Sequence, residues 1–297
     1  PVIAFIGPKE PPFPAPPYIH GPPNGGSGWY GAGGCMYLYN GMIHPLIRLP
    51  IKGMLWYQGE SNGLQKHGSS AYGSYSEKLR VLIADWRKRW GVGECPFYIV
   101  QLASWGEPDA DPAGGDGWAE ICVEQLKTLA ATNTGLAVTI DIGDRKDIHP
   151  KNKYDVGVRL ARWALARDYG QKNLVVSGPL FKNMKLEGGK IRVSFDHVGS
   201  GLMIGKKTGR EPTVEDKGGK LQRFAIAGAI APSPTNAAVS GVKWVWADAV
   251  IDGNTVVVSS PAVKAPVAVR YAYSQNPEGA NLYNREGLPA SPFRTDN

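Results

Sequence analysis

Apolar and polar residues follow two different periods along the chain, and the change comes near Gly170. Before it, short apolar runs alternate with longer stretches whose apolar residues recur at helical spacing. This pattern predicts buried strands followed by helices that pack on a parallel sheet. The predicted strands are 51–57, 97–102 and 136–141, and the predicted helices are 79–90, 118–130 and 151–169.

After Gly170, apolar and polar residues alternate one by one, as in strands that bury one face. Asp252-Gly253-Asn254 separates two such segments and predicts a hairpin turn. A β-sandwich of about 100 residues fits this part of the chain. The predicted strands are 190–195, 221–227, 242–247, 249–251 and 255–258.

The opening of the chain is rich in proline and glycine, above all at 11–17 and 21–26. Proline lacks a backbone donor and glycine adds conformational freedom, so these stretches sustain neither a helix nor a central strand. We therefore predict a linker or surface loop at 1–34, an α/β domain at 35–175 and a β-sandwich domain at 176–297.

Composition narrows the class of function. The chain has 297 residues, of which 42% are hydrophobic, enough for two domains with a substantial core. The net charge is +7, but acidic residues are mixed with the basic ones, as at 80–89 and 206–220, and no basic stripe carries interleaved aromatics. We therefore expect no nucleic-acid partner. No apolar run approaches the ~20 residues of a membrane helix, so we expect no membrane partner either.

The three cysteines are Cys35, Cys95 and Cys122. They lack the spacing of metal ligands, and at least one of them stays unpaired, so a disulfide framework is weakly supported. We expect no metal site and no cofactor.

Candidate chemistry lies where two of the predicted strands end. Gln58-Gly59-Glu60-Ser61-Asn62 follows the first strand, and Asp144, Asp147 and His149 follow the third. Side chains at the carboxyl ends of strands line the ligand crevice of α/β sheets. An amide and a carboxylate at one strand end, with an Asp/His pair at the other, indicate hydrolytic chemistry.

Three segments carry a family resemblance. They are Asn40-Gly41-Met42-Ile43-His44-Pro45-Leu46, Trp56-Tyr57-Gln58-Gly59-Glu60-Ser61-Asn62, and the stretch from Asp141 to Lys153 with its Asp-Ile-Gly-Asp and Asp-Ile-His-Pro motifs. In order and spacing they resemble the sialate O-acetylesterases and related carbohydrate acetylesterases of the SGNH-hydrolase superfamily. With a similar C-terminal tail, the resemblance covers roughly residues 35–297. It implies a flavodoxin-like parallel sheet flanked by helices, and serine-dependent hydrolysis of acetyl esters.

The resemblance implies that His149 is the general base. A serine hydrolase also needs a third group that orients the base. Asp147 precedes His149 by two positions and reaches the imidazole if the loop bends, so it is our first choice, and Asp144 is the second. If neither aspartate does so, a carbonyl or Glu60 orients the ring.

The same resemblance assigns the oxyanion hole to Gln58 and Gly59, with Asn62 and Asn40 as further candidates. Preorganised donors are needed there because negative charge develops on the ester oxygen. Glu60 cannot donate when it is ionised, so we expect it to hold the loop or to bind sugar hydroxyls.

The nucleophile block that the family carries upstream, Ser-x-Trp-Gly-Gly-Thr, matches no stretch of this chain. The chain begins at Pro1 rather than Met, and we expect it to be the C-terminal portion of a precursor whose N-terminal segment supplies the catalytic serine. The rival nucleophile is Ser61, because Gly59 to Gly63 reads Gly-x-Ser-x-Gly, the nucleophile elbow of α/β-hydrolases.

These observations lead to a carbohydrate O-acetylesterase that acts through a Ser-His-Asp mechanism. Its expected substrates are acetyl esters of sialic acid or of a plant polysaccharide such as xylan. We expect the protein to be secreted or periplasmic, or lysosomal in a eukaryote. The alternative is a non-catalytic carbohydrate-binding or interaction module that has lost the nucleophile.

Overall fold

A parallel sheet forms the centre of the first part of the molecule. The computed structural model describes residues 39–64, 74–229 and 241–296. The sheet contains β1 (Met54–Trp56), β2 (Phe97–Val100) and β3 (Thr134–Ala137) in the order β1-β2-β3, with Phe97 opposite both Met54 and Thr134. All four residues of β2 are buried, as expected of a parallel strand with both faces covered. The linker predicted at 1–34 and Cys35 lie outside the described residues.

Helices cover both faces of this sheet. They are α1 (Glu60–Gly63), α2 (Tyr75–Trp90), α3 (Gly117–Lys127) and α4 (Lys153–Arg167). Alternate side chains of β2 point to opposite faces. Phe97 packs edge-on against Trp86 of α2 with ring centroids 6.2 Å apart, whereas Tyr98 stacks on Trp163 of α4 at 6.1 Å. The described part of the chain begins with a π-helical turn, Tyr39–Ile43, and a 3₁₀ turn, His44–Leu46.

The strand predicted at 136–141 is wrong at both ends. The observed β3 starts at Thr134 and stops at Ala137. The Val138 carbonyl accepts a hydrogen bond of 2.6 Å from Arg159, and the Thr139 hydroxyl donates to the Gln101 carbonyl at 2.5 Å. Side chains therefore replace the backbone ladder beyond Ala137, and the chain runs as a loop up to α4.

The second part of the described chain consists of antiparallel strands. Two four-stranded sheets, β10-β11-β5-β4 and β14-β12-β8-β9, and a three-stranded sheet, β13-β6-β7, are present. The strands are β4 (Leu180–Glu187), β5 (Lys190–Asp196), β6 (Leu202–Lys206), β7 (Val214–Glu215), β8 (Phe224–Ala229), β9 (Val242–Trp246), β10 (Asp248–Asp252), β11 (Thr255–Ser259), β12 (Pro266–Tyr271), β13 (Leu282–Asn284) and β14 (Phe293–Arg294).

The two four-stranded sheets share one core. Val193 and Val256 of one sheet and Ile226 and Val269 of the other are fully buried in the same cluster. The hairpin predicted around Gly253 is present as β10 and β11. The predicted fold class, a parallel sheet flanked by helices and followed by an all-β region, is confirmed. The boundary predicted between residues 175 and 176 stays a prediction.

Candidate active site

The first candidate strand end is the turn after β1, where Gln58 is held from three directions. Its Nε2 donates to Asn62 Oδ1 at 2.8 Å, and the Tyr75 hydroxyl lies 2.9 Å from its carbonyl oxygen and 3.1 Å from its Oε1. Gln125 Nε2 donates to the same carbonyl at 3.0 Å. Burial raises the pKa of Tyr75 to about 12, so this hydroxyl remains a donor at neutral pH. The Gln58 amide is therefore oriented before any ligand arrives.

An amide nitrogen carries two hydrogens. One Gln58 Nε2 hydrogen points to Asn62, and the second has no acceptor among the residues that the structure describes. That hydrogen is available to an oxyanion.

Gly59 forms the turn between β1 and α1. Its φ is +149°, and a Cβ there would lie 3.0 Å from Ile121 Cγ2 and 3.1 Å from Gln125 Nε2. Only glycine fits such a position without strain. Glu60 and Ser61 begin α1 directly after this turn, and the Ser61 side chain is exposed. Burial, together with the Glu60 charge, raises the pKa of Tyr57 to about 12.

The second candidate strand end is the loop from 138 to 152, which carries His149. The His149 N–H donates to Asp147 Oδ1 at 2.9 Å, and its Nδ1 lies 3.5 Å from the same oxygen. The His149 side chain is 77% exposed. The hydrogen bond from the His149 N–H, helped by the His149 and Lys151 side chains, lowers the pKa of Asp147. Asp147 is thus a carboxylate that faces the imidazole at neutral pH.

Asp144 takes a different place in this loop. Its Oδ1 accepts the Lys146 N–H at 2.9 Å, and its Oδ2 lies 4.0 Å from Lys151 Nζ. Its backbone pairs with Asp147, which folds the loop back on itself. Among the described contacts, it is Asp147 and not Asp144 that faces His149.

A buried ion pair anchors the start of the loop. Both carboxylate oxygens of Asp141 accept from Arg159, at 2.6 and 2.8 Å, and the two side chains are 2% and 6% exposed. Burial lowers the pKa of Arg159, but the charge and hydrogen bonds of Asp141, together with Asp155 and Tyr283, outweigh burial, so the pKa lies above its usual value. The Tyr283 hydroxyl donates to Asp141 Oδ2 at 3.3 Å. Next in the chain, Gly143 lies so close to the Ser104 carbonyl that no Cβ fits.

One contact links the two strand ends. Lys153, the first residue of α4, places its Nζ 4.6 Å from the centre of the Tyr57 ring and 3.4 Å from the Tyr57 hydroxyl. Tyr57 immediately precedes Gln58. The helix that follows the His149 loop therefore reaches across the sheet to the end of β1.

The predicted site residues fall into three groups. Gln58, Gly59, Glu60 and Asn62 share one turn. Asp144, Asp147 and His149 share one loop, and Asn40 lies apart in the π-helical turn. No described hydrogen bond joins these groups, and within the described ranges no three His, Cys, Asp or Glu side chains come together as a metal site.

Comparison with known proteins shows which proteins this chain is similar to. A family model described as carbohydrate esterase, sialic acid-specific acetylesterase, matches residues 26–166. A solved carbohydrate acetylesterase from Xanthomonas citri is 44% identical, with a TM-score of 0.72, over 88% of this chain and 54% of that one. This chain is a homologue of the sialate and carbohydrate acetylesterases.

Curated sialate O-acetylesterases extend the comparison to mammals. The mouse protein is 30% identical over 280 residues, which are 86% of this chain and 46% of the mouse protein. The human protein is 35% identical over 166 residues, which are 50% of this chain and 30% of the human protein. The chain thus spans about half the length, or less, of these acetylesterases. No helix within the described ranges combines the length and apolar character that a membrane crossing requires.

Sequence reasoning missed four residues that support the candidate site. Arg159 and Tyr283 hold Asp141, and Tyr75 and Gln125 hold Gln58. Gln125 is fully buried, and its Oε1 also accepts the Leu102 N–H at 2.9 Å. The sequence did carry a signal for two of them. Gln125 and Arg159 are polar residues on the apolar faces of α3 and α4, and buried polar groups need hydrogen-bond partners inside the fold.

Proposed function

We propose that this chain provides the base and the oxyanion hole of a carbohydrate O-acetylesterase. The observation that carries the proposal is the Asp147 Oδ1 to His149 Nδ1 approach of 3.5 Å, in a loop at the carboxyl end of the parallel sheet. Homology to carbohydrate and sialate acetylesterases supports the same reaction class. The proposed substrates are acetyl esters of sialic acid or of a plant polysaccharide such as xylan.

The proposed mechanism follows from the direction of each group. Since Nδ1 of His149 faces Asp147, the opposite nitrogen, Nε2, takes the proton from a serine hydroxyl as its oxygen attacks the acetyl carbon. The negative oxygen accepts hydrogen bonds from the Gln58 side-chain amide and the Gly59 N–H. Nε2 then gives the proton to the departing sugar oxygen. A water molecule, activated by His149, releases acetate and restores the serine.

The nucleophile is proposed to lie on another segment, one that pairs with the free edge of β1. Among the described strands, β1 has β2 as its sole neighbour, and its Leu55 is 50% exposed. A parallel sheet normally buries such residues. A strand added at this edge would also bring its carboxyl end next to Gln58.

Ser61 fits the role of nucleophile less well. In a nucleophile elbow the serine itself occupies the sharp turn between strand and helix. Here Gly59 occupies that turn, and Ser61 lies within α1.

Labelling with a serine-reactive fluorophosphonate tests the source of the nucleophile. Residues 1–297 are prepared alone and, in parallel, together with the sequence that the gene encodes upstream. We expect p-nitrophenyl acetate hydrolysis and a labelled serine outside this chain in the second preparation alone. Full activity of residues 1–297 alone, with label on Ser61 or Ser27, would overturn the partner proposal. Binding of acetylated glycan without turnover in either preparation would support the non-catalytic module instead.

Replacement of the base tests the mechanism in whichever preparation is active. His149→Ala should lower kcat for p-nitrophenyl acetate by about 10²- to 10⁴-fold, the usual contribution of a general base. Lys146→Ala, an exposed change in the same loop, is the control, and circular dichroism checks the fold of both variants. Near wild-type kcat in His149→Ala would remove His149 from the mechanism.

A further inference from the structure

A cleft of about 460 Å³ lies between the carboxyl ends of the parallel strands and the antiparallel region. Ser104, Asp141 and Arg145 belong to one wall, and β6 with the loop 276–281 and Tyr283 of β13 belongs to the other. Its volume falls within the ~300–1,000 Å³ of typical ligand sites.

The cleft adjoins the candidate active site through the loop that carries His149. Asp141, Gly143 and Arg145 line the cleft and precede His149 in this loop. The pairing of Asp144 with Asp147 closes the loop between Arg145 and His149. A molecule bound in the cleft therefore contacts the same short loop as the base.

The charged residues that line the cleft balance in number. Three are basic and three are acidic: Arg145, Lys206, Lys207, Asp141, Asp216 and Glu278. The protein as a whole has a net charge of +7. The cleft does not share this excess of positive charge.

Two of the three basic side chains already pair with acceptors of the protein. Arg145 Nε donates to Glu107 Oε1 at 3.1 Å. Lys207 is 7% exposed, and its Nζ lies 2.7 Å from both Asp155 Oδ2 and the Glu211 carbonyl oxygen. Lys207 is therefore enclosed by its protein partners, and Arg145, although 54% exposed, already has a carboxylate partner in Glu107.

The charged groups left over are Lys206, Asp216 and Glu278. All three line the cleft, and none of them forms an ion pair with another described residue. One ammonium group donates and two carboxylates accept. Sugar hydroxyls both donate and accept hydrogen bonds, so they can pair with the ammonium group and with the two carboxylates. The carboxylate of a sialic acid would instead face the two like charges of Asp216 and Glu278 and would compete with Glu107 for Arg145, the one arginine in the described lining of the cleft.

We propose that this cleft binds a neutral pyranose unit of the glycan, with Lys206, Asp216 and Glu278 hydrogen-bonded to its hydroxyls. As a statement about the substrate it rests on the proposed function, and it selects acetylated neutral polysaccharide over acetylated sialosides. The binding of the sugar itself does not depend on catalysis.

Calorimetry with two probes tests the proposal on residues 1–297 prepared together with the upstream sequence. The probes are a xylo-oligosaccharide, which is neutral, and sialyllactose, which carries a carboxylate. Both should be tried with the wild type, Lys206→Ala, Glu278→Ala and the control Lys217→Ala, which changes an exposed lysine outside the cleft. We expect the xylo-oligosaccharide to bind more tightly than sialyllactose. Its Kd should rise about tenfold in each cleft variant, the effect of one lost charged hydrogen bond, and stay unchanged in Lys217→Ala.

Two results would overturn the proposal. They are tighter binding of sialyllactose by the wild type, and an unchanged Kd for the xylo-oligosaccharide in both cleft variants. Esterase activity is measured separately from sugar binding. Cleft-dependent sugar binding without esterase activity would refute the proposed function and uphold the sugar site, whereas esterase activity with unchanged Kd values would refute the sugar site alone.

Discussion

The two aspartates near His149 differ in what they touch. Asp147 accepts the His149 N–H and faces its Nδ1, whereas Asp144 accepts the Lys146 N–H and lies near Lys151. The sequence places both aspartates within five residues of the histidine. Which one faces the imidazole depends on the backbone of the loop, which the spacing alone does not determine.

Replacing each aspartate by asparagine separates their roles. Asp147→Asn should lower kcat for p-nitrophenyl acetate by about 10²-fold, because the imidazolium loses the carboxylate that stabilises it. In Asp144→Asn, kcat should fall much less. Steady-state kinetics of the two variants, with KM and kcat resolved, provides the measurement. A larger loss of kcat in Asp144→Asn would reverse the assignment.

The turn after β1 depends on backbone geometry more than on any side chain. Gly59 has a φ of +149° and is buried against Ile121 and Gln125. Gly91, at the end of α2, also has a positive φ of +64°, but a Cβ there would meet nothing within 4 Å. Gly91 lies in the left-handed region, which other residues enter at modest cost, whereas Gly59 combines a more strained backbone conformation with close packing.

Gly59→Ala should lower the free energy of unfolding by about 1–3 kcal/mol more than Gly91→Ala does, because its backbone conformation is more strained and the added Cβ meets Ile121 and Gln125. Urea denaturation of the two variants measures the difference. An equal decrease in the free energy of unfolding in the two variants would show that the structure around Gly59 relaxes to accommodate a Cβ.

A half-buried histidine joins the antiparallel strands to α4. His197 follows β5 and packs edge-on against Trp163, with ring centroids 5.5 Å apart. Burial lowers the pKa of His197; Asp196 opposes this shift, and the Arg167 charge adds to it. The folded protein therefore keeps this ring neutral.

Because of His197, the folded protein should become less stable as the pH falls. The unfolded chain binds a proton near pH ~6.5, which the folded state resists. The stability due to this group is complete above that pH and is lost as the pH falls towards the folded-state pKa. Asparagine tolerates the φ of 59° at this position. Between about pH 7.5 and 5.5, the melting temperature of His197→Asn should fall less than that of the wild type. His149→Asn, which replaces an exposed histidine, is the matched control variant.

At the scale of the whole molecule, the Asp141–Arg159 pair connects three regions. Asp141 lies in the loop after β3, Arg159 in α4, and Tyr283 in β13 of the antiparallel region. Burial, with the Asp141 charge, raises the pKa of Tyr283, which remains a hydrogen-bond donor. The loop that carries His149 is thus fixed to the C-terminal strands as well as to its own sheet.

Asp141→Asn should lower the free energy of unfolding by about 3–5 kcal/mol, because it leaves the buried Arg159 charge without its partner. Tyr283→Phe removes one hydrogen bond and should cost only about 0.5–1.5 kcal/mol. Urea denaturation of the pair measures both effects. A loss from Asp141→Asn as small as that from Tyr283→Phe would mean that water reaches Arg159.

The sequence by itself determined the alternation of strands and helices before Gly170, the fold class and the two strand ends that carry polar residues. These features follow from local periodicity, which each segment records independently of its neighbours. Strands such as β4 were missed because the bulge between Phe181 and Asn183 breaks the alternation that marks a strand.

Tertiary structure alone decided where β3 ends, which aspartate faces His149, and which buried polar groups hold Asp141 and Gln58. It also brought β6, the loop 276–281 and Tyr283 against the loop after β3 to form the cleft. These features join residues far apart in the chain. A side-chain hydrogen bond or a cleft wall depends on the three-dimensional position of both partners, and neither segment encodes that position alone.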